Sequence, residues 1–334
     1  MRFRLRYLVV PLVLVALVAA VLWTIPADGY LFSPDRARPL AVHVQVPGAH
    51  PVGGGDVYYV DAFVRRASLL QRILPFTRPS GSSLIPADQY LPQGVSNRQR
   101  QQQVVSEMQR STLIAPTVAL RALGRRVQAQ ATGVLVIAVI GGYPAAGRLQ
   151  EGDVVTAVDG KPVRTPPQLR AAIARHKPGE RVRLTISRGG KLVMLTVGTI
   201  PTPRAPTQPF IGIQIDQAAR IRLPVNVKID IGSVGGPSAG LPFALEIARK
   251  LGRNVTHGCK VAATGELSLD GAVLPVGAVK QKTIGARRTG VDLFVVPAGE
   301  NAATARANAH GLRILPVSSF QQALRALTTH PPKC

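Results

Sequence analysis

A strand-forming segment runs directly into a glycine-rich turn and then into a helix-forming segment. VNVKIDIG, residues 225–232, alternates as a strand does, and LPFALEIARKLG, residues 241–252, has helical apolar spacing. GGPSAG, residues 235–240, lies between them. Glycines let the backbone turn sharply, and the first amides of a helix have no partner within it and attract negative charge. The segment therefore predicts a serine, Ser238, exposed beside a helix start.

Three interpretations of this turn are open from the residues alone. In the plainest, Ser238 only caps the following helix. In the second, Ser238 is a nucleophile, and the amides of Gly236, Ser238 and Ala239 form its oxyanion hole. In the third, GPSAG is the G-x-S-x-G elbow of an α/β-hydrolase-type esterase, for which Asp292 and His310 follow in the required order. That fold needs several strand–helix units before the elbow, which this sequence does not show, so we rank the esterase last.

Composition sets broad limits on structure and function. The chain has 334 residues, 46% of them hydrophobic, enough for one large or two to three ordinary domains. Lys and Arg number 41 against 17 Asp and Glu, a formal net charge of +24. The basic residues are scattered and little interleaved with aromatics, so we predict no nucleic-acid binding. The two cysteines, Cys259 and Cys334, are too few for a disulfide framework or a cysteine-ligated zinc site; no metal or cofactor is expected.

An uncharged run from Tyr7 to Ile25 follows arginines at positions 2, 4 and 6. As a helix it rises about 28 Å, enough for the hydrocarbon core of a bilayer. We predict a single-pass anchor over residues 7–25, within an amino-terminal segment 1–27, that places the amino terminus in the cytoplasm and the rest outside the cell membrane. The alternative is a cleaved signal peptide, with cleavage after Ala20 or Ala27. In both cases the remaining domains are extracytoplasmic.

The segment 40–124 precedes the middle of the chain and combines two patterns. Residues 40–66 alternate on either side of GGGD, which predicts a β-hairpin. From Asn97 to Leu123 the pattern is helical, and Pro116 is expected to kink or split the helix. We expect this region to be a hairpin followed by a helical connection.

Residues 125–203 have the pattern of a separate unit of strands and one helix. Thr165 is expected to cap the helix TPPQLRAAIARHKPG, and RVRLTISRGGKLVMLTVGTI predicts a hairpin across Gly189-Gly190. PTPRAPTQP, residues 201–209, is expected to end the unit as a linker.

This unit resembles a PDZ domain of the kind found in bacterial envelope proteases. The resemblance rests on GVLV, on YPAAG at residues 143–147, and on LQEGDVV followed by VDGKP. It implies recognition of extended chain ends by strand addition. We place the loop that binds the chain-end carboxylate at Leu123 and Gly124, before the first strand.

A second block, VAATGELSLDGAVLPVGAVKQK at residues 261–282, lies downstream of GGPSAG. The two blocks in this order resemble the carboxyl-terminal half of the Lon (S16) protease domain and cover about residues 209–329. The resemblance implies that Ser238 is the nucleophile and that a lysine after TGE is its base. Alignment on TGE gives Lys282, with Lys280 as the competing assignment, and Thr264 would orient the lysine amine.

Serine and lysine form a chemically sound pair. A serine hydroxyl needs a neighbouring base before it can attack an amide. A lysine is such a base only when it is neutral, and burial without a carboxylate partner lowers its pKa. Val276, Val279 and Ile284 supply apolar surroundings for Lys282. His257 and His310 need no catalytic role, and we expect both on surface turns.

The predicted architecture is an α+β chain with a transmembrane helix, a PDZ domain at 125–203 and a Lon-type α/β proteolytic domain at 209–329. Because the strands of residues 40–66 resemble the opening of the same protease domain, the PDZ unit is expected to be inserted into it. The arrangement resembles the membrane-anchored PDZ/S16 proteases of Gram-positive bacteria (the YlbL-like group). No G-x-x-x-x-G-K-[ST] motif occurs, so the resemblance implies an ATP-independent serine endopeptidase.

Such an enzyme would cleave unfolded or flexible extracytoplasmic proteins, with the PDZ unit helping to recognise them. Its partners would be protein or peptide substrates and the lipid bilayer, and a homo-oligomer is possible from the resemblance alone. The main alternative is a non-catalytic envelope scaffold, in which PDZ binding is the function and the protease fold is vestigial. The intact serine and lysine argue against that alternative.

Overall fold

The computed structural model describes residues 2–91, 97–202, 205–232, 235–329 and 334. Its helices are α1 (Arg2–Thr24), α2 (Leu69–Ile73), α3 (Ala87–Tyr90), α4 (Asn97–Ala122), α5 (Pro166–Ile173), α6 (Gly240–Lys250), α7 (Val279–Thr289), α8 (Glu300–Ala307) and α9 (Phe320–Thr329), with one-turn 3-10 helices at Pro75–Thr77 and Pro237–Ala239. Its strands are β1 (Pro26–Pro34), β2 (Arg38–Pro39), β3 (Val44–Gln45), β4 (Asp56–Tyr59), β5 (Ala62–Ser68), β6 (Ser83–Ile85), β7 (Gln128–Val139), β8 (Val154–Val158), β9 (Lys161–Pro162), β10 (Arg181–Arg188), β11 (Lys191–Gly198), β12 (Ile200–Thr202), β13 (Ala205–Phe210), β14 (Ile213–Arg222), β15 (Lys228–Ile229), β16 (Lys260–Ala263), β17 (Glu266–Leu267), β18 (Val273–Leu274), β19 (Leu293–Pro297) and β20 (Arg313–Val317).

A five-stranded sheet with the order β2-β4-β16-β19-β20 forms the centre of the larger unit. The strands β4, β16, β19 and β20 run parallel, and β2 is antiparallel to β4. Helices α4, α6 and α9 cover one face, and α7 and α8 cover the other. Strands covered on both faces need apolar side chains at successive positions, and all five residues of β19, LFVVP, are buried.

Helix α6 lies within this core and begins directly after the serine turn. Every residue from Gly240 to Arg249 is buried. The two buried charges neutralise each other, because Arg249 donates Nε to Glu246 Oε2 at 2.8 Å and Nη2 to Oε1 at 2.9 Å. A buried charge is costly unless it is paired in this way. The serine turn is therefore attached to one of the most buried elements of the fold.

The hairpin predicted for residues 40–66 does not form. Strand β3 pairs with β15, whereas β4 pairs with β16 in parallel and with β2. The alternation of β4 marks a strand within a larger sheet, where it gains cover on both faces. As a result, residues before the PDZ-like unit and residues after it share one sheet.

The PDZ-like unit is a sheet with the order β11-β10-β8-β7-β14, against which α5 packs. Thr165 caps α5 by accepting from the Gln168 amide, and Arg188 pairs with Lys191 across Gly189-Gly190; both features were predicted. Residues expected to form a linker after 201 instead contribute the β12–β13 hairpin. The sheet of this unit also includes β14, which pairs with β7 along its whole length. Strand β14 lies beyond residue 203, where the sequence predicted the unit to end.

Helix α4 runs unbroken through Pro116 and ends at Ala122. Of the two outcomes expected at this proline, a kink or a split, the split does not occur. The helix lies against both units, since it packs on α6 and on the 3-10 turn as well as on β7.

Helix α1 covers most of the segment predicted to span a membrane, residues 7–25. Among the described residues, no helix is long and apolar enough to cross a membrane. The predicted anchor, and with it the predicted contact with a lipid bilayer, is not supported by these residues.

The two cysteines form a disulfide bond. Cys259, just before β16, is joined to Cys334, 75 residues later. The sequence excluded a disulfide framework and did not predict this single bond. Both sulfurs lie near the Asp292 carboxylate, but their mutual bond removes the thiolates that a metal ion would need.

Candidate active site

The serine turn is held in place by backbone geometry and by helix α4. Gly236 adopts a φ of +94°, a conformation that glycine reaches without strain. Its amide donates to the Val104 carbonyl at 2.9 Å, and the Ser111 hydroxyl donates to the Pro237 carbonyl at 3.1 Å. Ser238 itself is half-buried at the start of α6. The turn thus presents the serine while α4 fixes the residues before it.

Lys282 reaches Ser238 from helix α7, on the opposite face of the central sheet. Its Nζ lies 2.7 Å from Ser238 Oγ and 3.3 Å from Thr264 Oγ1. The lysine is only 4% exposed and Thr264 is fully buried. Thr264 directly follows β16, so a strand end, a helix start and a helix face converge on one hydroxyl. The structure therefore brings together the three residues predicted for the site.

A glycine in α7 allows the helix to approach so closely. A Cβ on Gly285 would lie 1.9 Å from the Asp35 carbonyl oxygen, which is far inside van der Waals contact. Gly285 lies one turn after Lys282 on the same helix. Because residue 285 has no side chain, α7 can pack close to the Asp35 backbone, and this close packing brings the Lys282 amine to the serine hydroxyl.

Burial lowers the pKa of Lys282 to about 8 from its ordinary 10.5. Loss of hydration disfavours the ammonium form. Asp61, in the short link between β4 and β5, opposes this effect through its negative charge. Among the described residues Lys282 forms no ion pair, so the desolvation is not cancelled. A substantial fraction of the amine is then neutral near physiological pH.

Asp61 was not identified from the sequence. Burial raises the pKa of its carboxyl, while the charge of Lys282 and a hydrogen bond from the Ala62 amide lower it. The residue lies two positions beyond Tyr59, which is in register with Ala263 at the end of β16. Only the pairing of β4 with β16 brings it to the site, and the hairpin interpretation hid that pairing.

The segment TGE is hydrogen-bonded to the serine turn. The Gly265 amide donates to the Ser238 carbonyl at 2.9 Å, and the Leu241 amide donates back to the Gly265 carbonyl at 2.9 Å. These bonds fix the distance between Thr264 and the start of α6. They explain why the two sequence blocks occur together: each supplies the backbone partners of the other.

One of the three amides predicted to form the oxyanion hole already has a hydrogen-bond partner. The Gly236 amide is engaged by Val104 and cannot serve a substrate oxygen in this conformation. The amides of Ser238 and Ala239 stay as candidates, because they lie at the amino-terminal end of α6 where the helix dipole favours negative charge.

The competing residue assignments are not brought to Ser238. Lys280 lies on α7 with a half-buried side chain, and it is Lys282, two residues later, whose amine hydrogen-bonds to the serine. For the esterase alternative, Asp292 accepts from the Lys260 amide, and His310 is exposed on a turn. His257 also lies on a turn, as expected.

An apolar groove of about 920 Å³ lies between α5 and the segment that leads into β14. Leu169 and Ile173 line it from the helix, and Ile211, Ile213 and Ile215 line it from the other side. Within the described residues β14 pairs with β7 alone, so its other edge is available to a further strand. An open strand edge beside a helix is suited to strand addition by a peptide.

Leu123 and Gly124 do not belong to this groove. Leu123 packs against the core of the larger unit, and Gly124 forms the turn that ends α4. The carboxylate-binding loop predicted there gains no support. PFIGIQI, residues 209–215, is the signal that sequence reasoning missed, because a strand so far downstream was assigned to the next domain.

Comparisons with known proteins agree with both units. Residues 121–199 match the PDZ domain family, and residues 212–329 match the family described as the Lon protease (S16) C-terminal proteolytic domain. The chain is 41% identical over 86 residues to a Lon protease of Desulforamulus reducens, covering 25% of this chain and 10% of that protein. It is 32% identical over 117 residues to Lon protease 2 of Bacillus subtilis, covering 35% of this chain and 20% of that protein.

The chain therefore spans a tenth to a fifth of the length of these curated relatives. Mixed α and β structure, a PDZ domain and an S16 proteolytic domain were all predicted, and all are confirmed. This chain therefore carries a PDZ domain followed by a domain that matches the Lon (S16) proteolytic domain.

Proposed function

We propose that the chain is an ATP-independent serine endopeptidase that uses Ser238 and Lys282. The observation that supports this most is the 2.7 Å contact between Lys282 Nζ and Ser238 Oγ at a buried lysine. A neutral amine at that distance can accept the hydroxyl proton as the oxygen attacks a carbonyl carbon. Thr264 Oγ1, 3.3 Å from the same amine, would help to hold it in place.

The reaction would follow acyl transfer in two steps. Ser238 Oγ bonds to the scissile carbonyl carbon, and its proton moves to Lys282 Nζ. The amides of Ser238 and Ala239 stabilise the developing oxyanion. The ammonium then returns the proton to the leaving nitrogen as the C–N bond breaks, and this nitrogen becomes the amino terminus of the released product. A water molecule, deprotonated by the same amine, releases the acyl group from the serine.

The groove beside α5 would bind a segment of the substrate. Its apolar lining suits apolar side chains, and the open edge of β14 suits an extended backbone. An extended segment is available in unfolded or flexible proteins, which are therefore the proposed substrates. Assembly into a homo-oligomer stays a prediction, to be checked by light scattering on the purified protein.

We also propose that the protein works outside the cytoplasm. The disulfide between Cys259 and Cys334 supports this, since such bonds persist in oxidising compartments and are rare in the cytosol. In cells, rapid alkylation before lysis should find both cysteines unreactive without a reductant. Alkylation of Cys334 in untreated cells would contradict the proposed location.

The enzymatic proposal is tested with casein as an unfolded substrate and with diisopropyl fluorophosphate as a label for the nucleophile. We expect Ser238→Ala and Lys282→Met each to lower the cleavage rate by at least about a thousandfold. Labelling should be found on Ser238 alone. Lys280→Met is the matched control and should leave both readouts unchanged. Cleavage by Ser238→Ala would refute the proposal, and a wild type that neither cleaves nor is labelled would favour the scaffold.

A further inference from the structure

A cluster of charged side chains connects the strand that lines the groove to the catalytic segment. Arg110 lies near the middle of α4 and forms an ion pair with Asp216 of β14. The other terminal nitrogen of its guanidinium, Nη2, lies 3.7 Å from Oε1 of Glu266. Glu266 begins β17, two residues after Thr264. One arginine thus contacts both the PDZ-like unit and the TGE segment.

These charges are shielded from solvent. The side chains of Arg110, Asp216 and Glu266 are 14%, 21% and 25% exposed. Burial lowers the pKa of Arg110, against the charges of Glu266 and Glu107, and burial raises the pKa of Glu266, against the charge of Arg110 and together with that of Glu107. A guanidinium held among carboxylates in such surroundings is costly to leave unpaired. Movement of Asp216 therefore changes the balance of interactions at Glu266.

Strand β14 contacts both the groove and α4. Ile213 and Ile215 line the groove, Gln214 lines it and also hydrogen-bonds to α4, and Asp216 forms its ion pair with α4. The alternation of side chains along the strand is interrupted by an irregularity between Gln214 and Ile215. The Gln103 side chain on α4 hydrogen-bonds to Gln214, about two helical turns before Arg110. A peptide in the groove would thus order the same strand that holds Arg110.

The same helix also supports the serine turn. Val104 accepts the Gly236 amide, and Ser111, adjacent to Arg110, donates to the Pro237 carbonyl. Ser111 and Arg110 are neighbours on α4, so the groove strand, the TGE segment and the nucleophile turn are all fastened within two turns of one helix. No other residue described here bridges β14 and β17 by an ion pair.

From this arrangement we propose that Arg110 is a positioning residue that makes the reactivity of Ser238 depend on occupancy of the groove. Binding of an extended, apolar chain end beside β14 orders Asp216, which holds Arg110 and, through it, Glu266 and the TGE segment. The ordered segment keeps Thr264 and Lys282 at the serine. This inference rests on the proposed function, because it assumes that Ser238 is the nucleophile.

The test separates binding at the groove from reactivity at the serine. The probes are decapeptides that end in Val, Leu or Phe with a free carboxylate, and their amidated forms. Fluorescence anisotropy measures peptide binding, and intact mass measures the rate at which diisopropyl fluorophosphate modifies Ser238. For the wild type, we expect a bound free-carboxylate peptide to raise the labelling rate at least threefold.

The variants Asp216→Asn and Arg110→Met should bind the peptide within about twofold of the wild type yet be labelled at the unstimulated rate with or without it. Asp216→Asn keeps the shape of the side chain and is the milder change. Arg98→Met, at an exposed arginine of the same helix, should respond as the wild type does. Thermal unfolding of each variant checks that the fold is intact.

Three results would overturn the inference. One is that no peptide of the series binds; another is that a bound peptide leaves wild-type labelling unchanged; the third is that Asp216→Asn keeps the full response. In each case the peptide-free cleavage of casein by the wild type, and its loss in Ser238→Ala, still decides the proposed function separately.

Discussion

The carboxylate of Asp61 acts on Lys282 without forming an ion pair with it. Its negative charge favours the ammonium form of the lysine, whereas burial disfavours that form. The effect of burial is the larger of the two, so the pKa of Lys282 falls to about 8. A direct ion pair would have kept the amine charged and unable to accept a proton. The site thus balances a desolvated base against one nearby acid.

The first prediction concerns the pH dependence of cleavage. Because the base is active when neutral, kcat/KM of the wild type should rise about tenfold per pH unit below the pKa of Lys282 and level off above about 8. The measurement is the initial rate of casein cleavage from pH 6 to 10. A rate that is flat across this range would be inconsistent with a titrating lysine base.

The second prediction concerns Asp61→Asn. Removing the negative charge removes the interaction that favours the ammonium, so the pKa of Lys282 should fall further and the midpoint of the pH profile should move below 8. Activity at pH 7 should rise, by at most about tenfold, because about one-tenth of the amine is neutral there in the wild type. Asp292→Asn, at a carboxylate bonded to the Lys260 amide, serves as control and should leave the midpoint in place. A midpoint that moves upward in Asp61→Asn would contradict the assigned electrostatics.

The third prediction concerns the approach of α7 to the segment before β2. Gly285→Ala places a methyl group 1.9 Å from the Asp35 carbonyl oxygen, so the helix must move outward. We expect a loss of about 3 kcal/mol in the free energy of unfolding and at least a tenfold fall in kcat, because Lys282 moves with the helix. Gly277→Ala meets no atom within 4 Å and should change stability by less than about 0.5 kcal/mol. Equal behaviour of the two variants in urea unfolding would count against this account.

The fourth prediction concerns the disulfide. The bond closes a segment with a sequence separation of 75 residues, and chain-entropy arguments give a stabilisation of about 4 kcal/mol for a loop of this size. Cys334→Ser is preferred to a change at Cys259, which is buried. We expect the variant to unfold at a lower temperature than the wild type and to be insensitive to dithiothreitol, which should lower the wild-type transition to the same value. A wild type that does not respond to the reductant would show that the bond is absent.

Residues of the site were predictable where chemistry and local pattern coincide. The GGPSAG turn marked Ser238 because its glycines precede a helix start, whereas Thr264 and Lys282 followed from the resemblance of the TGE block to the Lon protease domain. The pairing of strands from distant segments of the chain was not predicted. The strand at residues 56–59 has the alternation of a hairpin strand, yet its partner residues lie 204 positions later, in β16.

The groove was missed for a related reason. The local pattern of PFIGIQI does not predict that β14 pairs with β7. At the pair Ile213–Val139, the two residues are 74 positions apart in the sequence. The Gly236 amide was assigned to the oxyanion hole because its partner, the Val104 carbonyl, belongs to a helix before the PDZ unit. Local sequence specifies turns, caps and reactive residues well, whereas partners across an inserted domain emerge only from the folded chain.

The most direct test of the account is the titration of Lys282 itself. Protein labelled with ¹³C at the lysine ε carbon is followed by NMR from pH 6 to 12, and the Lys282 signal is assigned by its loss in Lys282→Met. We predict one ε carbon that titrates near pH 8, well below the remaining lysines. A Lys282 signal that titrates near 10.5, with the surface lysines, would contradict the claim that an uncharged amine activates Ser238.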